Sequence, residues 1–595
     1  MKNILKIKAI LTFVVLMTFS SCDEFLNRAP LDEISTETYW TKASELDAYI
    51  VGKYNWLPGQ LSDWSMGYFI DDVVSDDMIN GITHNSWMNG ETLTAPASGG
   101  SWVWTTIRAI NYFFDNCGKC EDSFESWKHT YGEACFLKAM EYHDLVKLFG
   151  DVPWYTHVIS SSDTEALNAP RDPRNVVVDS IMNLIDQSVE FLDTRAEAGV
   201  NRLNKETALI YKSRVALYEA TWAKYHAGTD FASTVDANKY FQIAIDVFEE
   251  FKQEFGDPSA YLYTTGDTSS DYYNLFNQFD YSAINEVTLA KSYSEALSVK
   301  NNTNIEVWLY GYANCSYSLN LIRSYLGKDG NYIDIMDENV ITSSGGVTYL
   351  TELAGKLDPR FSQSVFIPGD LINTTTPPYA DSLFTIVQLN HSDATRNTTS
   401  GFAPKKGHNP DGTMTNQTDP LVDGIAFRVA ELMLNYAEAY VELKGTYPDL
   451  SDNVDALRAR VGMPTLTDVK PEVNANWPDY GYTVSDQLAI IRQERRVELA
   501  GEGYRKDDWK RWRAHMLFEG TRPKGGRYEA ADYENQLVQP SIPVDSDGYL
   551  DPLYTSLEYL GGAYDFREDR DYFYPIPTDE LIINENLVQN PGWDD

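Results

Sequence analysis

Apolar residues recur at helix spacing along much of this chain, and two long stretches break the pattern. From position 423, Ile425, Val429, Leu432, Tyr436, Tyr440 and Leu443 follow steps of four, three, four, four and three. Such a stripe must face a core. Helices are expected over about 102–116 and 132–149, the second stopped by Gly150 with Pro153 just beyond. Asp172 reads as the N-cap of the next helix and Pro173 as its first residue. Its inward face reads Val177, Ile181, Leu184, Ser188 and Phe191. Asn204 reads as the cap of another, with Ala208, Tyr211, Val215, Tyr218 and Trp222 inward. A further helix is expected over about 238–255, through Phe241, Ile245 and Phe248, and a short amphipathic one over 40–54.

The stretch 487–513 repeats the helical pattern in a heavily charged context. Leu488, Ile491 and Leu499 share one stripe, Ser485 offers an N-cap, and Gly501 and Gly503 offer stops. Arg495 falls within the stripe, where a guanidinium needs a carboxylate. Glu498 and Glu502 lie on the same face. Two readings follow, a buried structural ion pair or an arginine clamp for an anionic ligand.

The pattern breaks over 56–100, rich in Gly, Asn, Asp and Ser with Trp64, Tyr68, Trp87 and Met88 interspersed, and over 257–420. Irregular segments of this length in a compact protein usually carry function. Asp71, Asp72, Asp76 and Asp77 could chelate calcium, without the spacing of an EF-hand. The expected fold is mainly α-helical, one globular unit in which helix pairs support the loops along one side.

The N-terminus changes the setting. Lys2, Lys6 and Lys8 precede an apolar run from Ala9 to Phe19, too short for a membrane-spanning helix of ~20 residues. Residues 1–21 read as a signal peptide. The tetrapeptide Phe19-Ser20-Ser21-Cys22 resembles a lipobox, with Cys22 as the lipidated residue, so lipid alone would hold the mature chain to a membrane.

The formal net charge is −40, and removing residues 1–21, which hold three lysines and no acid, makes it −43. Such a chain repels nucleic acid and anionic lipid. Tyrosine and tryptophan are abundant, and their rings join an apolar face to a polar edge, which suits sugar binding and helix packing alike. No HExxH, GxSxG, Walker A or helix-opening GxGxxG is present, and the eight histidines show no metal-ligand spacing. A non-enzymatic protein without metal or cofactor is expected. Cys117 and Cys120 form a CxxC that reads as two ordinary thiols or an exported disulfide.

Several motifs, in order, resemble those of the SusD/RagB family. They are FLKAMEYHDLVKLFGDVPW before Tyr155, Asp358-Pro359-Arg360, LRARVGMP over 457–464, RQERRVELAGEGYRKDDWKRWR over 492–513, and YPIP with QNPGW at the end. The resemblance runs from Cys22 to Trp593. It implies a SusD-like fold with four tetratricopeptide-like helix pairs. The parts would be 22–256, including the loop layer, and 257–595, with loops over 257–420 and helices over 423–515. It implies a lipoprotein on the outer-membrane surface that binds glycan and delivers it to a SusC-like TonB-dependent transporter. The alternatives are RagB-like peptide binding and a non-catalytic helical-repeat scaffold. Loop aromatics are the site candidates, since helix-stripe rings belong to the core. These are Trp87, with Asn85 and Asn89 beside it, and Trp308, Tyr310 and Tyr312, whose even spacing puts three rings on one face of an extended segment.

Overall fold

A computed structural model describes residues 39–57, 69–92, 94–297, 299, 315–374, 382–389, 397–411, 422–534 and 542–593. The signal peptide, Cys22, Trp64, Tyr68, Trp308, Tyr310 and Tyr312 lie outside these residues.

The scaffold is helical. In chain order the principal helices are α1 (Ala43–Val51), α2 (Thr105–Cys117), α3 (Lys128–Phe149), α4 (Arg174–Phe191), α5 (Lys205–Tyr225), α6 (Ala237–Phe255), α7 (Gly346–Lys356), α8 (Val429–Lys444), α9 (Val454–Arg460), α10 (Asp486–Glu498) and α11 (Arg505–Arg511). Sequence neighbours pack on one another: α2 on α3, α3 on α4, α4 on α5 and α5 on α6, after which α8 packs on both α5 and α6. The two faces of α5 and α8 are buried almost all round, so these helices are the centre of the stack. By contrast α6 buries only the stripe Tyr240, Phe241, Ala244, Ile245, Val247, Phe248 and Phe251. Phe248 stacks on Tyr436 of α8 with ring centroids 4.0 Å apart, a contact worth ~0.5–1.5 kcal/mol beyond its area.

Local signals set most boundaries. The Asn204 side chain accepts from Thr207 N at the start of α5, and the Ser485 side chain accepts from Leu488 N at the start of α10. Gly150 ends α3 with φ +75°, and a Cβ there would lie 2.7 Å from the Phe573 ring. Only glycine fits both constraints. Gly501 and Gly503, with φ of 72° and 79°, turn the chain from α10 into α11.

Two boundaries differ from the sequence reading. Residues 424–428 form a strand, not the first turn of α8, because Gly424–Arg428 pairs antiparallel with Val287–Lys291. Ile425 therefore packs in a separate cluster with Tyr272, Leu275 and Val461. Asp172 is not the cap of α4. Its carboxylate accepts from Trp154 N, and Asp151 Oδ1 instead accepts from Arg174 N, at 2.8 Å each. The Val152–Asp172 bridge turns Asp172 back toward the segment that follows α3. The inward face of α4 also includes Val178, Met182, Ile185 and Val189, while Leu184 and Phe191 sit at its margin.

The 257–420 region holds α7, short helical turns and short strands around its own core, formed by Tyr317, Tyr325, Leu350, Phe361, Phe366 and Phe402 with Val497 and Ala500. Buried ion pairs tie this region to the helices. Glu498 accepts from Arg428 Nη1 at 2.9 Å, Arg460 Nη2 at 2.5 Å and Arg360 Nη1 at 3.1 Å. Glu502 accepts from Lys406 at 2.6 Å and Arg428 at 2.7 Å. Arg495 does lie in a buried ion pair, but its partner is Asp508 at 2.9 Å, with Asn435 Oδ1 at 2.8 Å. Glu498 and Glu502 face other cations. Cys117 and Cys120 are free thiols.

Burial raises the Glu498 carboxyl, yet Arg460, Arg428 and Arg360 outweigh it and hold the group far below the carboxylate range. Glu498→Gln leaves those guanidiniums short of a counter-charge, and is expected to lower stability by ~3–5 kcal/mol in urea titration. Glu568→Ala, which breaks the exposed pair with Arg513, should change it by less than ~1 kcal/mol. Burial also raises Glu219 and Glu438, but Arg174 and Arg511 pull each down to about 2. A depressed carboxylate stabilises above its unfolded value and loses that contribution as pH falls through the folded one. The urea midpoint should therefore fall as pH drops from the ordinary 4.5 toward 2; a flat profile there contradicts the ionised network.

Candidate functional site

A two-stranded ribbon brings the two irregular regions together. Met78–Asn80 pairs antiparallel with Cys315–Tyr317, Met78 opposite Tyr317 and Asn80 opposite Cys315. Ser318 extends the contact, its N–H donating to Asp77 O at 2.8 Å. Thr399 Oγ1 donates to Gly81 O at 2.7 Å, adding a third loop. Buried charge fixes the base of the ribbon. Arg496 donates to Asp77 and Asp76 at 2.7 Å each, and Arg505 donates to Asp76 at 2.8 Å. Of the aspartates considered for calcium, Asp76 and Asp77 thus face arginines, Asp71 lies 3.6 Å from Lys506 Nζ, and Asp72 accepts from Gly503 N and Arg505 N at 3.2 and 3.1 Å. Among the described residues no group of three or more His, Cys, Asp or Glu side chains is placed to hold a metal ion.

Beyond the ribbon the chain makes a tight turn sewn to the C-terminal part. His84 Nε2 and Glu91 Oε1 are 2.5 Å apart. His84 N donates to Ser556 Oγ at 3.2 Å, and Asn85 N donates to Tyr564 Oη at 3.0 Å. Burial pushes the Tyr564 hydroxyl up to about 12 despite that donated bond, so it stays protonated and serves as a structural anchor.

The sequence candidates fall into three groups. Asn85 and Trp87 lie half-buried on this turn, and the Asn85 Oδ1 accepts from Met88 N at 3.1 Å. Asn89 is buried, with Nδ2 donating to Glu91 at 2.8 Å and Oδ1 accepting from Asp565 N at 3.1 Å, so both ends of its amide hold the turn. Trp87 packs on Tyr574 with ring centroids 4.1 Å apart and on Trp593 at 6.1 Å. Trp308, Tyr310 and Tyr312 lie outside the described residues; the chain re-enters at Cys315, opposite Asn80.

Two aromatic rings absent from the sequence candidates face solvent beside this turn. Tyr559 is 89% exposed and Tyr554 39% exposed, on the segment whose Ser556 accepts from His84 N. Arg522 lies over the Tyr554 ring at 5.1 Å. The available signal is Tyr559-Leu560 before Gly561-Gly562, an aromatic and an aliphatic side chain placed just before a glycine turn. The arrangement offers rings, amides and carboxylates for stacking and hydrogen bonding. Elsewhere, His226 and His408 are pushed by burial down to about 3 and bond backbone carbonyls, as structural imidazoles do.

Comparison with known proteins gives one answer across the chain. The model described as the SusD family matches residues 263–593, and one described as starch-binding associating with outer membrane matches residues 24–217. SusD-like protein P2 of Formosa agariphila is 22% identical over 98% of this chain and 99% of its own. A SusD-like protein from Bacteroides fragilis superposes with TM-score 0.67 at 20% identity, covering 95% of this chain and 100% of its own. A SusD-like carbohydrate binding protein from the same species gives TM-score 0.66 at 20% identity, covering 93% and 100%.

Trp87→Ala removes a ring clamped between the turn and the C-terminal segment. It is expected to cost ~2–4 kcal/mol and to lower the melting temperature. An unchanged melting temperature would show that the ring does not anchor these segments.

Proposed function

Because this chain belongs to the SusD family, we propose that it captures glycan at the cell surface and delivers it to a SusC-like TonB-dependent outer-membrane transporter. In this reading Cys22 carries the lipid anchor, and the protein catalyses no reaction. A carbohydrate binding protein among the structural neighbours and a matched model described as starch-binding support the ligand class. No helix among the described residues is long and apolar enough to cross a membrane, which fits attachment by lipid.

The observation that carries the siting is the pairing of Asn80 with Cys315. It joins the turn bearing Asn85, Trp87 and Asn89 to the end of the stretch bearing Trp308, Tyr310 and Tyr312. In this reading both loop stretches serve one face. Rings at 308, 310 and 312 would supply the stacking platform, with Tyr554 and Tyr559 as further surface rings. Asn85 would bond hydroxyls. Asn89 and the clamped ring of Trp87 act by holding the turn in shape. A rigid turn lowers the ordering cost of binding.

A glycan array and calorimetry on the mature chain with Cys22→Ala test this. Stacking one ring contributes ~1–3 kcal/mol. Trp308→Ala and Tyr559→Ala should each weaken a confirmed glycan about tenfold or more, with an unchanged melting temperature. Full affinity in both variants rejects the face. The Cys22→Ala protein should also leave outer-membrane fractions, and the lipidated protein should co-purify with a TonB-dependent barrel in mild detergent. Failure of both rejects the anchor and the partner.

A further inference from the structure

A second concavity of about 530 Å³ lies away from the ribbon, between the start of α2, the segment 153–168 and the segment 580–587. That volume is within the ~300–1,000 Å³ of small-ligand sites. Trp102, Trp104 and Tyr155 line it together. Their rings meet edge to face, Trp102 to Trp104 at 5.2 Å and Trp104 to Tyr155 at 5.3 Å. The segments 153–168 and 580–587 add the aliphatic side chains Leu167, Ile583 and Leu587, with Asn168, Glu580 and Asn584 between and beside them. Leu167 is 46% and Ile583 72% exposed at the rim.

The wall is held rigid from behind. Asn111 donates to Tyr155 O at 3.1 Å and His157 O at 3.2 Å, and its own oxygen accepts from Lys138 at 2.7 Å. Tyr155 N donates to Tyr142 Oη at 2.7 Å. The polar ends of several lining side chains are different. Among the described residues, the indole N–H groups of Trp102 and Trp104, the Tyr155 hydroxyl and the Glu580 carboxylate make no hydrogen bond. Trp102 is 93% buried by contrast with its open N–H, having only 7% of its surface exposed.

Those two observations restrict the occupant. A hydrocarbon would strip water from the indole, phenol and carboxylate groups and leave them unpaired. A fully hydroxylated sugar would bury hydroxyls against Leu167, Ile583 and Leu587 without partners. The lining carries both Arg108 and Glu580, so neither a polyanion nor a polycation is favoured. We propose that this groove binds a neutral pyranose ring bearing an apolar substituent, such as a 6-deoxy or O-acetyl group. Its hydroxyls would meet the indole, phenol and carboxylate groups, and its methyl would face the aliphatic side chains. This site goes beyond the loop face and does not depend on it.

Calorimetry and indole fluorescence on the mature Cys22→Ala chain test it with matched methyl glycosides. Methyl fucopyranoside is set against methyl galactopyranoside, and O-acetylated methyl glucopyranoside against its parent. The modified sugar should bind in the millimolar range and at least about fivefold more tightly than its parent, as one methyl group in an apolar pocket allows. Trp104→Ala should abolish binding, while Tyr155→Phe and Glu580→Gln should each weaken it several-fold with unchanged melting temperature. Trp308→Ala should bind these glycosides normally, which separates this groove from the loop face. Absence of saturable binding, equal affinity within each matched pair, or wild-type affinity in all three groove variants overturns the proposal. So does loss of a co-purifying barrel protein in the groove variants without glycoside binding, which would make the groove a protein-docking face.

Discussion

A carboxylate taken out of water must be met by cations and donors, and Glu498 meets three arginines at once. That constraint organises the molecule around α10. Arg360 comes from the turn after Asp358, Arg428 from the end of the strand 424–428, and Arg460 from α9. Glu494 adds Arg458 and Arg360, and Glu286 joins Arg428 and Arg460. Arg496 of the same helix and Arg505 at the start of α11 pair with Asp76 and Asp77 of the loop layer. Long irregular segments have few backbone ladders to fix them. Here buried charge does so, and it does so directionally, because each guanidinium accepts only a few carboxylate geometries. Replacing such pairs by apolar residues is often neutral for stability. Their contribution in this fold is the placement of segments that regular structure leaves undefined.

The helices were legible because their cause is local. Period and caps at Asn204 and Ser485 depend on residues a few positions apart, and those readings match the structure. Misreadings came where the deciding partner is distant. Ile425 fits a helical stripe equally well, and only the strand at Val287–Lys291 makes its segment extended. Arg495 has Glu498 and Glu502 within local reach, yet three remote arginines and Lys406 take those carboxylates, leaving Asp508. Spacing along one helix names candidate partners but cannot rank them against competitors from elsewhere.

The same limit separates the family from the site. Motifs such as the RQERRVELAGEGYRKDDW stretch are legible because they encode this charge scaffold. The face built on that scaffold is not encoded the same way. Trp87 is a loop tryptophan by sequence, and its role as a clamped ring depends on Tyr574 and Trp593 at the far end of the chain. Asn89 likewise reads as a free amide until Asp565 and Glu91 engage it. The exposed Tyr559 shows the converse, since only the fold reveals its exposure to solvent.

The C-terminal segment explains how two separate concave surfaces share one frame. Tyr574 and Trp593 support the turn at Trp87, while Glu580, Ile583 and Leu587, between them in sequence, wall the groove. Backbone bonds from Thr578 N to Pro96 O at 3.0 Å and from Asp579 N to Ala97 O at 2.9 Å fasten this segment to the loop layer. Phe573 is fixed from the other side by the close approach of Gly150 at the end of α3. Each surface is therefore set by contacts to the same rigid neighbours and not by contact with the other. Packed cores transmit strain but have no second arrangement to adopt unless one is built in. A ligand on either surface can therefore act on the other only by favouring a different packing of the shared 573–593 segment.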